Sequence, residues 1–293
     1  MNLDTLLNDH QRGSLEITQQ ALKYFRDCFS GDSRKALEHI YDALQVDSKS
    51  LSKKHPNNVL LRKLTSNLLI SCKRFMKTEK EAATVLADLH KKIDQMEEEL
   101  LSNAEKIAAL GSRIIAHSNK LMTIGNSSLV KRICASAQEQ RRKFEVFCLL
   151  SHPPGEGADL AENLLAKGIK VTLLADNEMG IFAPQMNLII LGATRLCEDG
   201  FVNKAGSLPL CLTARHFSVP VYLAAETNKI LFEKERAFKA VALEKSAVYH
   251  AKNKNLRMEN IFHEKIPIHL AHKIICEDGV FDALEFMKWY LKE

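Results

Sequence analysis

Glycine and proline are nearly absent from the first third of this chain and then recur at short intervals. Residues 1–115 hold three of the 12 glycines and one of the seven prolines. These two residues break regular backbone structure, so the first third reads as long helices and the rest as short elements joined by turns. The clearest helix begins near Glu79. Leu86, Leu89, Ile93, Met96 and Leu100 follow steps of three and four, and the stripe resumes at Ile107, Leu110 and Ile114. That spacing makes one face apolar. A face of this kind packs on its own domain or joins a coiled coil, and Asn103 interrupts the seam in favour of the first.

After about Ser118 the pattern changes to short runs rich in Val, Ile, Leu and Phe. The expected strands are Lys120–Gly125, Glu145–Ser151, Lys170–Asp176, Met186–Ala193 and Val219–Ala225, with helices at Leu129–Arg142, Ala158–Lys167 and Asn203–Phe217. Apolar runs without polar alternation suit strands covered on both faces, as parallel sheets require. The expected fold is therefore α/β: a helical N-terminal domain, residues 1–117, followed by a doubly wound, mostly parallel, Rossmann-like sheet domain, residues 118–293. Such sheets bind ligands beyond the carboxyl ends of their strands.

Composition sets outer limits. A length of 293 residues suggests about two domains, and 46% hydrophobic with 26% charged residues excludes a disordered or collagen-like chain. The net charge of +5 is spread evenly, with 18 Lys and Arg against 16 Asp and Glu in residues 1–115. Without a basic stripe, direct nucleic-acid binding is not expected. The seven cysteines form no Cys-x-x-Cys pair and mostly sit in apolar segments. They read as reduced thiols of a cytoplasmic protein. No signal peptide or membrane-length apolar run is present, so no membrane association is expected, and no metal or cofactor motif stands out.

Four loops follow the expected strands. Gly125-Asn126-Ser127-Ser128 opens a helix, which suits an anion and equally suits ordinary capping. The segment from Ser151 through His152 to Gly157 is rich in Pro and Gly, and can shape a pocket. Residues 192–207 concentrate small, polar and charged groups between a strand and a helix. Lys229 lies beyond the last run, where an ammonium can meet a phosphate or simply be solvated.

Taken together, IGNSSLVKRI (124–133), VFCLLSHPPGEG (146–157), GIKVTLLAD (168–176), LGATRLCEDGFVNKAGS (191–207) and VPVYLAAETNK (219–229) resemble the α, β and δ subunits of eukaryotic translation initiation factor 2B. The same family includes the ribose-1,5-bisphosphate and methylthioribose-1-phosphate isomerases. The resemblance is good over residues 118–235, and Gln11-Arg12-Gly13-Ser14 looks like the family's N-terminal phosphate clamp. It implies a phosphorylated small-molecule ligand, held by Arg12, Gly13, Ser14, Asn126, Ser127, Ser128, Asn203, Lys204 and Lys229. It also implies a homodimer or higher oligomer, with related subunits as further partners.

The catalytic pair of the isomerases is not there. The family's cysteine position reads Gly125 and its aspartate position reads Thr194. Losing an oriented acid or base costs about 10²–10⁴ in rate, so isomerisation by the family mechanism is not expected. Cys197 or Asp199 would substitute only in a rearranged loop. Two arginines of the clamp pattern read His55 and His152. Imidazole still donates to phosphate without a permanent bidentate charge, and weaker binding that varies with pH near neutrality is expected; both are equally compatible with simple loop positions. The expected function is that of a non-catalytic regulatory or assembly subunit binding a sugar or nucleotide phosphate, against the alternative of a pentose 1-phosphate aldose–ketose isomerase.

Overall fold

The computed structural model describes residues 2–29, 34–78, 80–232, 234–235, 237–250, 253 and 255–290; Glu79, the expected helix start, lies outside them. The chain divides into two compact units, Met1–Asp9 with Ser14–Ser102, and His10–Gly13 with Asn103–Glu293.

The first unit is helical. It contains α1 (Leu3–Leu7), α2 (Ser14–Cys28), α3 (Arg34–Lys54), α4 (Val59–Met76) and the larger part of α5 (Ala82–Ser112). Asn2 and Asn58 cap α1 and α4, their side chains accepting the Asp4 and Leu61 N–H groups at 3.1 Å each. Capping satisfies donors that a helix start leaves orphaned. Within α5, Leu86, Leu89, Ile93, Met96, Leu100 and Ile107 are buried in the chain, as the stripe predicts, and Asn103 is buried among them. Ile114 falls beyond the end of the helix.

The second unit is built on a seven-stranded sheet ordered β10-β9-β7-β4-β1-β2-β3. Its strands are β1 (Lys120–Thr123), β2 (Glu145–Leu149), β3 (Lys170–Leu174), β4 (Leu188–Gly192), β7 (Val221–Ala224), β9 (Lys273–Cys276) and β10 (Gly279–Asp282). All but β10 run parallel. Counted along the chain, the parallel strands lie in the doubly wound order 3-2-1-4-5-6, which reverses between β1 and β4. The helices of this unit are α6 (Ser128–Glu139), α7 (Glu156–Leu165), α8 (Met179–Phe182), α9 (Ser207–His216) and α10 (Ala283–Tyr290). Every residue of β4 is buried, whereas the edge strand β3 leaves Leu173 47% exposed. Among the described residues, no helix is long and apolar enough to cross a membrane.

Two expectations need correction. Residues 203–217 do not form one helix. Gly200–Lys204 is strand β6, paired antiparallel with β5 (Arg195–Leu196) and β8 (His263–Pro267) in a second, three-stranded sheet. Asn203 and Lys204 therefore stand on a strand. The reason lies in the flanks. Gly200 presses so closely on the Ile266 carbonyl that a Cβ would come within 2.4 Å, and Phe201 and Val202 are fully buried. The helix starts only after Gly206, at φ 103, where Glu264 Oε1 accepts the Gly206 and Leu208 N–H groups at 2.8 Å each. The parallel sheet also does not end at Val219–Ala225; β9 and β10 extend it.

Helix α7 meets β2 at a glycine. A Cβ on Gly157 would lie 1.9 Å from the Leu149 carbonyl oxygen, while nothing lies within 4 Å of one on Gly180. Gly157→Ala is expected to cost about 3 kcal/mol or more in urea unfolding, because backbone must move, and Gly180→Ala less than about 1 kcal/mol. Equal midpoints for the two variants would contradict this packing.

Candidate functional site

The reversal of strand order opens the sheet between the carboxyl ends of β1 and β4, and the loop after β1 lies there, with Gly125 and Ser128 buried and Asn126 and Ser127 half-buried. Gly125 sits at φ 79 and donates its N–H to Ser151 Oγ at 2.7 Å. Ser127 caps α6 by accepting the Val130 N–H at 3.4 Å. Gly192, the last residue of β4, lies so close that a Cβ there would meet Ser127 Oγ at 2.4 Å. The segment His10–Gly13 runs along the same loop. Asn126 Nδ2 donates to the Gln11 carbonyl at 2.9 Å, and a Cβ on Gly13 would lie 2.7 Å from the Asn126 carbonyl oxygen. Arg12 is exposed on that segment. The helix start carries partial positive charge, which favours an anion beside Ser127 and Ser128.

The loop after β2 is pinned by a carboxylate. Ser151 has φ 63, a left-handed conformation that is costly for a residue with a side chain. Asp176 holds it there, accepting the Ser151 and His152 N–H groups on its two oxygens at 2.7 Å each, and Ser151 Oγ donates to the Leu149 carbonyl at 3.1 Å. The His152 side chain is exposed.

Lys204 is the electrostatic centre. It is 5% exposed. Its Nζ donates to the Pro153 carbonyl, lies 3.5 Å from Glu156 Oε1 and stands 4.4 Å from the centroid of the Phe262 ring. Burial pulls the ammonium pKa down, and Glu156 and Asp176 oppose that pull. Glu156, 3% exposed at the start of α7, is pushed up to about 7 because desolvation outweighs the Lys204 charge. Its Oε2 has no hydrogen-bond partner among the described residues. Asn203, beside Lys204 in sequence, turns to Ser207 Oγ at 3.0 Å.

Lys229 is buried rather than solvated, and its Nζ donates to the Ala193 carbonyl at 2.8 Å. Burial lowers its pKa against the charges of Glu226 and Glu277. Arg195 is fully buried, and its Nε donates to the Leu231 carbonyl at 2.9 Å. Thr194 Oγ1 lies 3.4 Å from His263 Nε2. Cys197 is fully buried in the β5–β6 turn, and Asp199 pairs with Lys265 at 2.7 Å. Ser14 and His55 belong to the first unit. The Ser14 carbonyl accepts Thr18 Oγ1 at 2.7 Å and Asn58 Nδ2 at 3.0 Å. His55 Nε2–H donates to the Leu6 carbonyl at 2.7 Å, and burial pulls the ring's pKa down.

With this geometry in place, comparison with known proteins is specific. The model of the initiation factor 2 subunit family matches residues 10–283. The chain belongs to that family. It is 30% identical over 176 residues to a putative translation initiation factor eIF-2B subunit 2-like protein of Pyrococcus horikoshii, covering 60% of this chain and 62% of that one. It is 28% identical over 202 residues to a ribose 1,5-bisphosphate isomerase of Methanocaldococcus jannaschii, covering 66% and 64%. The matched region thus spans less than two thirds of either curated relative. The fold is that of the Pyrococcus horikoshii OT3 translation initiation factor eIF-2B, with a TM-score of 0.81, 22% identity and 97% of each chain covered.

Sequence reasoning assigned no role to Glu156, Asp176, Phe262 or His263. Glu156 and Asp176 lay inside quoted motifs; the available signal was a carboxylate at the end of an expected strand for Asp176 and one at the start of a helix after a Pro- and Gly-rich loop for Glu156. Phe262 and His263 lie beyond the last expected strand and outside every quoted motif. Asp176→Ala is expected to speed amide hydrogen exchange at Ser151 and His152 about tenfold or more, because each loses a charge-assisted hydrogen bond. Unchanged protection at both amides would contradict the pinning role.

Proposed function

We propose that the chain is a non-catalytic member of the initiation factor 2 subunit family, binding a sugar or nucleotide phosphate and acting as a regulatory or assembly subunit. What supports this reading is the crevice beyond β1 and β4 together with the absence, at two positions, of the thiol and carboxylate that the resemblance calls for. The helix start at Ser127 and Ser128, the Arg12-bearing segment and the Lys204 ammonium belong to one compact unit. Gly125 and Thr194 stand where the resemblance calls for a thiol and a carboxylate. The backbone at Gly125 reinforces the loss, since a cysteine at φ 79 would carry left-handed strain of about 1–2 kcal/mol. Assembly as a homodimer or higher oligomer, alone or with related subunits, and a cytoplasmic location complete the proposal.

A second reading, aldose–ketose isomerisation of a pentose 1-phosphate, is favoured by the likeness to a protein named ribose 1,5-bisphosphate isomerase. That chemistry needs one group to take a proton from a sugar carbon and another to return it to its neighbour. Of the substitutes, Cys197 is fully buried and Asp199 is salt-bridged.

One panel separates the two readings. Ribose 1,5-bisphosphate, methylthioribose 1-phosphate and nucleoside monophosphates are screened for thermal stabilisation and for turnover. Stabilisation without turnover is expected, with affinity weakened at least tenfold in Arg12→Ala and Lys204→Ala and nearly unchanged in Cys197→Ser. Turnover of either pentose phosphate would establish the isomerase; equal affinities in all three variants would move the site elsewhere.

A further inference from the structure

An ammonium meant for a ligand is here already in use. Lys204 Nζ donates to the Pro153 carbonyl, faces Glu156 Oε1 at 3.5 Å and is covered by the Phe262 ring at 4.4 Å. The two charged side chains are 5% and 3% exposed. A phosphate reaching this ammonium must therefore displace something, and the displaceable anion is the Glu156 carboxylate. Resting on the sugar-phosphate reading of the same crevice, we propose that Glu156 is a built-in competitor for Lys204: the incoming phosphate takes over the ammonium, and the released carboxylate takes up a proton from solvent.

The physical case rests on what Glu156 would face once released. Its Oε2 already has no hydrogen-bond partner among the described residues. The charged side chains acting on it are Lys204 from β6, which favours the carboxylate, and Asp176 beyond β3, which opposes it; its own position at the start of α7 adds a weak favourable pull. Take away Lys204 and add the negative phosphate, and the carboxylate is left buried beside like charge. A buried unpaired carboxylate neutralises itself by binding a proton. Desolvation has already raised this carboxyl to about 7, so the proton is available near physiological pH. Asp176 does not replace it, because both its oxygens hold the Ser151 and His152 N–H groups.

The sign follows directly. Below about pH 7 Glu156 is already protonated and the ammonium is free to bind. Above it, each binding event consumes a proton, so affinity falls toward tenfold per pH unit. A sugar phosphate loses its own second proton near pH 6 and is a constant dianion over the higher range.

Calorimetry of the full chain with ribose 1,5-bisphosphate at pH 8, in buffers of different ionisation enthalpy, counts the protons. Uptake of about one proton is expected, with affinity weakening roughly 20-fold between pH 6.5 and 8.5, and Glu156→Gln should bring uptake near zero and flatten the profile. Binding with no uptake, or uptake equal in Glu156→Gln, overturns the competitor role and leaves the phosphate site standing. Absence of binding across the whole pH range overturns the site and this inference with it. Carboxyl titration of ¹³C-glutamate-labelled protein without ligand gives an independent arm: a Glu156 midpoint near 7 supports the proposal, and one in the ordinary carboxylate range overturns it.

Discussion

A lysine taken out of water must be held by something, and the centre of the second unit is arranged around holding Lys204. The Pro153 carbonyl reaches it because the loop after β2 folds back, and that loop keeps its shape because Asp176 accepts two of its N–H groups. Glu156 comes within 3.5 Å because α7 begins directly after that loop. Phe262 covers the ammonium because it immediately precedes β8, which pairs with β6 along its length, Lys204 facing His263. Three chain segments far apart in sequence are thus fixed by one charge. Without Lys204 the Glu156 carboxyl would be buried alone, a costly arrangement.

Much of this was legible in the chain because parallel strands buried on both faces must be apolar throughout. Met186–Ala193, Glu145–Ser151 and Val219–Ala225 read as strands for that reason, and each contains one, Leu188–Gly192, Glu145–Leu149 and Val221–Ala224. The small sheet was not legible, since β5 is two residues long and β6 ends in Asn203 and Lys204, whose polarity reads as a helix start. Only the distant β8 gives those residues a partner, and pairing across some 60 residues leaves no local periodicity. The same holds for the site. The Gly125–Ser128 loop stood out by residue type and Lys204 through the resemblance, whereas burial of Glu156 and the place of Phe262 follow from tertiary packing alone.

The lysines also show how burial changes the meaning of a residue. By sequence, Lys229 is a cation beyond a strand end. In the structure it supports the Ala193 carbonyl, next to Thr194, from a buried position among Glu226 and Glu277. It thereby holds the backbone directly before Thr194. Family membership accounts for this framework and not for an activity, because relatives similar in sequence are named as initiation factors and as isomerases alike. Under the function proposed above, the difference from an isomerase is local: a left-handed glycine and a threonine at two strand ends.

The most direct test of a crevice that holds a phosphorylated pentose without moving its hydrogens is a single NMR experiment in D₂O. Ribose 1,5-bisphosphate is mixed with an equal amount of the full chain, and its phosphorus signals and its C2 hydrogen are followed together. Shifted or broadened phosphorus signals with a C2 hydrogen that persists for hours are the predicted result. Loss of that hydrogen to solvent, or phosphorus signals identical to those of the free sugar, would contradict the account.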